Sequence, residues 1–194
     1  MVLDVVIEIL ETEGYDAVLI REVASRAQVS LSTLYADFGS RDELIVAAVE
    51  RWMEEHTWSR FTGPVPSFTS LYDGLMYMIT NVFEPWEQSP WMLKAFHRAR
   101  SGPGHERLEK QGVAAVSAIA SELSREVDMS YALDVASILE HVQYSLVARY
   151  VRGDIAFGDI LPVLERTVYR LTEVESRDHR RTATRKARRG STRT

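Results

Sequence analysis

The chain has 194 residues, 45% of them hydrophobic, with 23 Lys and Arg against 28 Asp and Glu, a formal net charge of −5. That apolar content is ample for a buried core and excludes wholesale disorder. The absence of cysteine excludes disulfides, thiolate metal sites and cysteine nucleophiles. The charge is unevenly spread. Residues 1–50 carry three Arg against ten Asp and Glu, a net of −7, whereas residues 176–194 carry eight Lys and Arg against one Asp, a net of +7.

Val2, Val5, Val6, Ile9 and Leu10 form one apolar face at helical spacing, so a first helix is expected over about residues 2–13. The stretch is interrupted by Asp4 and Glu8 and is neither a signal peptide nor a membrane span, which leads us to expect a soluble cytoplasmic protein with no membrane partner. Residues 14–44 read as two short helices, a tight turn between them, and the start of another helix. Val23, Ala24 and Ala27 share one face of the first short helix, Val29 sits in the turn, and Leu34 and Phe38 share one face of the second. This is a helix-turn-helix core. Ser30 is placed to cap the second short helix, and Ser40 with Glu43 has the spacing of a capping box for the next. Leu31, Ser32, Thr33, Tyr35 and Ala36 are left facing outward, a small and mostly polar surface suited to a major groove. A half-buried place in the core is the alternative for Tyr35.

A fourth helix is expected from Arg41 to about Trp58, and Thr62-Gly63-Pro64-Val65-Pro66 is the clearest break in the chain. The fifth, about Ser67 to Trp86, carries two apolar stripes, Phe68, Leu71, Leu75, Met78 and Val82 on one side and Tyr72, Met76, Ile79, Phe83 and Trp86 on the other. A helix apolar on two faces is a central, buried one. Pro90 opens a shorter sixth helix that Ser101-Gly102-Pro103-Gly104 ends. Helices follow over about 105–127, 130–151 and 159–174. Beyond Glu175 the chain turns to Arg, Thr and Ser without apolar periodicity, which reads as a basic disordered tail. With no alternating strand pattern anywhere, the expected fold is all-α, with about nine helices. The expected divisions are a helix-turn-helix domain at 1–45, a helical domain at 46–175 and the tail at 176–194.

The pieces Gly14-Tyr15, Val23-Ala24, Val29-Ser30, Thr33-Leu34-Tyr35 with Phe38, and Ser40-Arg41-Asp42-Glu43-Leu44 stand in the register of the DNA-binding domain of TetR-type transcriptional regulators, which this segment resembles. The resemblance implies a dimeric regulator, most often a repressor, that binds a palindromic operator in double-stranded DNA and responds to a small-molecule effector. Carried over by position, Leu31, Ser32 and Thr33 approach base edges, with Ser30 also among the DNA-binding residues, while Tyr35 and Arg41 hold phosphates, Arg41 helped by the positive N-terminal end of the fourth helix. It also implies an effector pocket in the C-terminal helical domain. Trp58, Phe61, Tyr72, Met76, Phe83, Trp86, Trp91, Met92 and Phe96 supply large apolar side chains for one, with His97, His141 and Tyr144 for polar orientation, so a lipophilic or aromatic effector is expected. In such proteins the last two helices pair with those of a second copy. Leu133, Ala136, Leu139 and Leu146 with Leu161, Leu164, Val168 and Leu171 offer the stripes, although some of them must face the protomer's own core.

Three positions depart from the family pattern. Leu19 stands where a capping Thr or Ser is usual, Asp37 stands where a basic residue is common, and the usual basic arm ahead of the first helix is missing from these 194 residues. The alternative is therefore a TetR-like helical protein with weak DNA binding, acting through protein partners or requiring an absent N-terminal arm. The Arg-rich tail could add salt-sensitive affinity for DNA or serve only solubility. No catalytic or cofactor motif is present. Gly102-Pro103-Gly104 has no preceding strand and no third glycine, and no P-loop, Gly-x-Ser-x-Gly elbow or His-Glu-x-x-His pair occurs, so neither an enzyme, a cofactor nor a metal site is expected. We expect further basic residues upstream of Met1 in the natural protein; mass spectrometry of material from its native source tests this, a mature start at Met1 refuting it.

Overall fold

The computed structural model describes residues 1–102, 104–125 and 127–173. The tail from 176 and the last residue of the expected ninth helix lie outside them. The described residues are helical with no strand: α1 (Val2–Thr12), α2 (Ile20–Arg26), α3 (Leu31–Phe38), α4 (Arg41–His56), α5 (Leu71–Gln88), α6 (Pro90–Arg100), α7 (His105–Leu123), α8 (Met129–Arg152) and α9 (160–173). Short 3-10 turns at Tyr15–Ala17, Trp58–Phe61 and Phe157–Asp159 link them.

Local chemistry sets most of the boundaries. Ser30 accepts a hydrogen bond from the Thr33 N–H at 3.0 Å and so caps α3. Ser40 accepts from the Glu43 N–H at 3.1 Å and caps α4. The reciprocal half of that capping box does not form, because the Glu43 carboxylate is taken by Arg107 of α7 at 2.8 Å. Leu19 precedes α2 with no side-chain cap, as a leucine must. α5 begins at Leu71 rather than at Ser67. Ser70 accepts from the Asp73 N–H at 3.1 Å, and the Asp73 carboxylate in turn accepts from the hydroxyls of Thr69 and Ser70, which closes the cap four residues later than the apolar pattern suggests. α7 stops at Leu123, short of Val127, and Asp128 caps α8 through the N–H groups of Ser130 and Tyr131.

The N-terminal unit is α1–α3 closed by the first half of α4. Val6, Ile9 and Leu10 of α1, Val23 and Ala24 of α2, Leu34 of α3, and Leu44, Ile45 and Val49 of α4 are all buried together. α4 then carries on into the second core, where Trp52 and Met53 are buried. Trp52 stacks on Trp86 of α5 with ring centroids 4.6 Å apart, and its indole N–H donates to Glu11 of α1 at 2.8 Å. Burial of an aromatic side chain of this kind stabilises by about 1.5–3 kcal/mol, and the hydrogen bond to Glu11 keeps the indole donor satisfied. α6 lies against both α1 and α4, so the two units share a continuous apolar interior rather than a flexible linker.

The turn between α2 and α3 has one unusual residue. The Val29 N–H reaches back to the Ala24 carbonyl at 3.0 Å, a Schellman closure that needs a left-handed residue, and Gln28 takes that conformation at φ 55. A side chain with a Cβ is disfavoured there. Gln28→Gly is therefore expected to raise stability by about 0.5–1 kcal/mol, the relief of strain partly offset by glycine's greater freedom in the unfolded chain. Chemical denaturation of the two proteins under the same conditions measures it, and no gain would mean that the turn relaxes the strain elsewhere.

Candidate functional site

α3 presents its outer face to solvent. Leu34 is buried beneath it, while Leu31, Ser32, Thr33, Tyr35, Ala36 and Asp37 are exposed, with Tyr35 53% exposed rather than half buried in the core. The Ser30 hydroxyl lies 2.7 Å from that of Ser32 and 2.8 Å from that of Thr33. Three hydroxyls thus cluster at the N-terminal end of an exposed helix, each able to donate or accept. Arg41 is turned the other way. Its Nε donates to the Val18 carbonyl at 2.6 Å and its Nη2 to the Tyr15 carbonyl, which anchors the loop between α1 and α2 onto the start of α4.

That loop is also the seam with α6. Tyr15 lies between two guanidiniums, with Arg41 4.9 Å and Arg98 of α6 4.2 Å from the ring centre. Its hydroxyl donates to Asp42 at 3.0 Å. Burial, followed by that bond to a carboxylate, pushes the phenol above its ordinary 10.0. Arg98 also pairs with Asp16 at 2.7 Å, although both side chains are well exposed, so this pair adds orientation more than stability. Gly14, at φ 88, sits under the indole of Trp91, and a Cβ there would come within 3.0 Å of the ring. The backbone of the first loop therefore rests directly on α6.

On the opposite side of α6 a cavity of about 420 Å³ opens among α4, α5, α6, α7 and α8. The size is that of a small-molecule pocket. Met53, Trp58, Leu75, Ile79, Phe83, Trp86, Leu93, Phe96, Val116, Leu123, Val135 and Leu139 make most of the wall, and His97, Arg100, Glu109, Ser124, Glu140, Gln143 and Tyr144 supply its polar groups. Arg100 of α6 and Glu140 of α8 form an ion pair at 3.1 Å in its lining. The His97 ring stands 5.4 Å from that of Tyr144. Among the described residues no cluster of three or more His, Asp and Glu is arranged to hold a metal ion, and no helix is long and apolar enough to cross a membrane.

Of the side chains expected at an effector pocket, Trp58, Phe83, Trp86, Phe96, His97 and Tyr144 line this cavity. The others do not. Phe61 packs beside Trp58 and Tyr77 without lining the cavity itself. Tyr72 faces α9, with its hydroxyl 3.2 Å from Glu165 and its ring edge-on to Tyr169. Met76 and Met92 pack into the interior without lining the cavity. Trp91 is 45% exposed against Gly14 and Lys94, and His141 is exposed, its Nδ1 2.7 Å from the Ser137 carbonyl. Aromatic side chains of the same helices thus divide between this cavity and other faces. The α5 stripe of Leu71, Leu75, Met78 and Val82, expected as core, also lines the cavity, and so does the Arg100–Glu140 pair. The signal available for Arg100 was its position three residues after His97, on the face of α6 that also bears Leu93 and Phe96.

Burial first, then the charges of Arg100 and Arg152, holds His97 below its ordinary value of 6.5. The unfolded chain therefore binds a proton at this residue more readily than the folded one, so stability falls as pH drops through 6.5 and the effect disappears above it. From about pH 7 to about pH 5 the melting temperature of the wild type is expected to fall more steeply than that of His97→Gln. Thermal unfolding across that range checks it, and parallel slopes would remove His97 as a source.

A family model described as bacterial regulatory proteins, tetR family, matches residues 2–48, and one described as tetracyclin repressor-like, C-terminal domain, matches residues 69–171. The HTH-type transcriptional repressor KstR of Mycolicibacterium smegmatis is 32% identical over 98 residues, covering 50% of this chain and 48% of that protein. KstR of Rhodococcus jostii is 31% identical over 98 residues, covering 50% of this chain and 45% of the relative. An uncharacterized HTH-type transcriptional regulator in the dhlA 5′ region of Xanthobacter autotrophicus is 43% identical over 53 residues, 27% of this chain and 26% of its own length. The matches thus span about half the length of the KstR relatives. The crystal structure of a TetR transcriptional regulator from Rhodococcus sp. RHA1 superposes with a TM-score of 0.70 at 18% identity, covering 88% of this chain and 92% of that one, a likeness of fold. With the N-terminal model on the helix-turn-helix and the C-terminal model across the cavity helices, the chain belongs to the TetR family of transcriptional regulators.

Proposed function

We propose that this regulator is a ligand-responsive repressor, which binds a palindromic operator as a homodimer and is released by a small lipophilic or aromatic effector. One observation carries the reading: α6 lines the cavity with Leu93, Phe96, His97 and Arg100 and bears on the helix-turn-helix unit with Trp91 and Arg98. A molecule that shifts α6 from within the cavity shifts the loop at Gly14, Tyr15 and Asp16, and with it the angle of α3. A coupling of roughly 1–3 kcal/mol between the two sites suffices for release. The relatives named as transcriptional repressors support the sign of regulation.

Ser30, Leu31, Ser32 and Thr33 read base edges in this scheme, and Tyr35 holds a phosphate. Arg41 contributes by fixing the loop through its two carbonyl bonds and by adding positive charge at the start of α4. The second copy packs on α8 and α9, which leave Leu133, Ile138 and Tyr169 exposed while burying Leu139, Leu146, Leu164 and Val168 in the protomer's own core. The weak-binding alternative draws on the same head. Arg26 is held by Glu13 and Glu22, and Arg41 faces inward, so two of the three arginines of the head are engaged within the protein.

Footprinting on the protein's own promoter region separates the two readings. The repressor reading expects a protected palindrome, and Thr33→Ala with Tyr35→Ala is expected to lower affinity about tenfold or more; no sequence-specific protection favours the alternative. Light scattering tests the assembly. The wild type is expected at twice the chain's mass and Ile138→Glu with Tyr169→Glu at the mass of one chain, and a monomeric wild type both in solution and on DNA would sink the dimer.

A further inference from the structure

The polar groups of the cavity differ in exposure. Arg100 of α6 is 22% exposed, whereas its partner Glu140 of α8 is 54% exposed. Glu109 of α7, the other acid in the lining, is exposed as well. The acids are the more exposed of the charged groups in the lining, and the guanidinium is the least exposed of them. His97, one turn before Arg100, shares its face. The charges acting on the imidazole are those of Arg100 and Arg152, and both oppose a further positive charge there. Arg152 is engaged with Asp154 at 2.9 Å. Arg100 spends one nitrogen, Nη2, on Glu140, and a guanidinium has five N–H donors in a planar fork. Arg100, the less exposed member of its pair and one turn from His97, therefore has donor capacity left over for a second acceptor.

We propose that the effector is a lipophilic carboxylic acid, its apolar body held among α5, α7 and α8 and its carboxylate taken up by Arg100 beside His97. This rests on the effector-cavity reading above and specifies its ligand. The incoming carboxylate replaces Glu140 as the partner of Arg100, and Glu140, already half in water, turns outward at little cost. The Arg100–Glu140 pair ties α6 to α8, so the exchange loosens that tie at the moment the ligand arrives. Arg98 and Trp91, on the same helix, carry the change to the first loop. A lipophilic amine would instead engage Glu140 and Glu109, and a lipophilic alcohol would gain no ionic contact.

Titrating the full chain by tryptophan fluorescence, with Trp58 and Trp86 in the wall as reporters, distinguishes these ligands. The probes are dodecanoate, dodecanol and dodecylamine, each below its micelle concentration. Dodecanoate is expected to bind about tenfold or more tighter than dodecanol, the gain of a charge-assisted bidentate contact. Arg100→Met is expected to abolish that preference, dodecanoate falling to the affinity of dodecanol for the same variant, while dodecanol that still binds reports an intact cavity. Glu140→Gln, which removes the competing carboxylate, is expected to tighten dodecanoate several-fold. Acid and alcohol binding alike, amine binding tighter than acid, or a preference that survives Arg100→Met would each overturn the proposal while leaving the effector cavity standing. Failure of all three probes to bind would overturn both.

Discussion

The fold depends on α4 being buried on both sides of its length. Its first turns close the helix-turn-helix core through Leu44, Ile45, Ala48 and Val49, and its last turns enter the second core through Trp52 and Met53. Neither unit can bury its apolar face without this helix, so the DNA-facing head is set on the body by core packing. The Trp52 contacts make the junction specific. One indole stacks on α5, lies over His56 at 4.6 Å and donates to Glu11 of α1, and Glu11 accepts as well from Ser89, at the bend between α5 and α6, at 3.3 Å.

Once α4 is fixed, α6 has a narrow choice of places. It fills the angle between α1, α4 and α5, and the two sides of an eleven-residue helix end up with different duties. Trp91 and Arg98 meet the backbone and the aromatic ring of the first loop, where Gly14 tolerates the close approach because it has no Cβ. Leu93, Phe96, His97 and Arg100 meet the cavity. Packed interiors transmit displacement because they have little free volume to absorb it. The same lack of slack that positions α3 makes its position sensitive to what occupies the far side of α6.

The helix-turn-helix was legible because its signals are local. Capping serines, the run Val23, Ala24, Ala27 and Leu34 at helical spacing, and outward-facing Tyr35 all follow from neighbours a few residues away. The cavity was legible only in outline. Phe83, Trp86, Phe96 and His97 line it, but Tyr72, Trp91 and His141 do not, although nothing in their spacing distinguishes them. A side chain of α5 with apolar neighbours on two sides can face α9, the core or the cavity, and the choice is made by α7, α8 and α9, which come later in the chain. Arg41 shows the same limit at the head. Its type and position suit a phosphate, and the fold also sets its Nε and Nη2 on the loop carbonyls of Val18 and Tyr15, which no local spacing encodes.

By itself the sequence determined the all-helical class, the family to which the head belongs and the outward face of α3, because periodicity, caps and turn residues act over a few bonds. The tertiary structure alone decided that Arg100 pairs with Glu140 in the cavity lining, that Trp91 rests on Gly14, and that one helix touches both the cavity and the head. Those relations join residues tens of positions apart. They exist only after burial of α4 and α6 has traded chain entropy for a shared core, which no local pattern encodes.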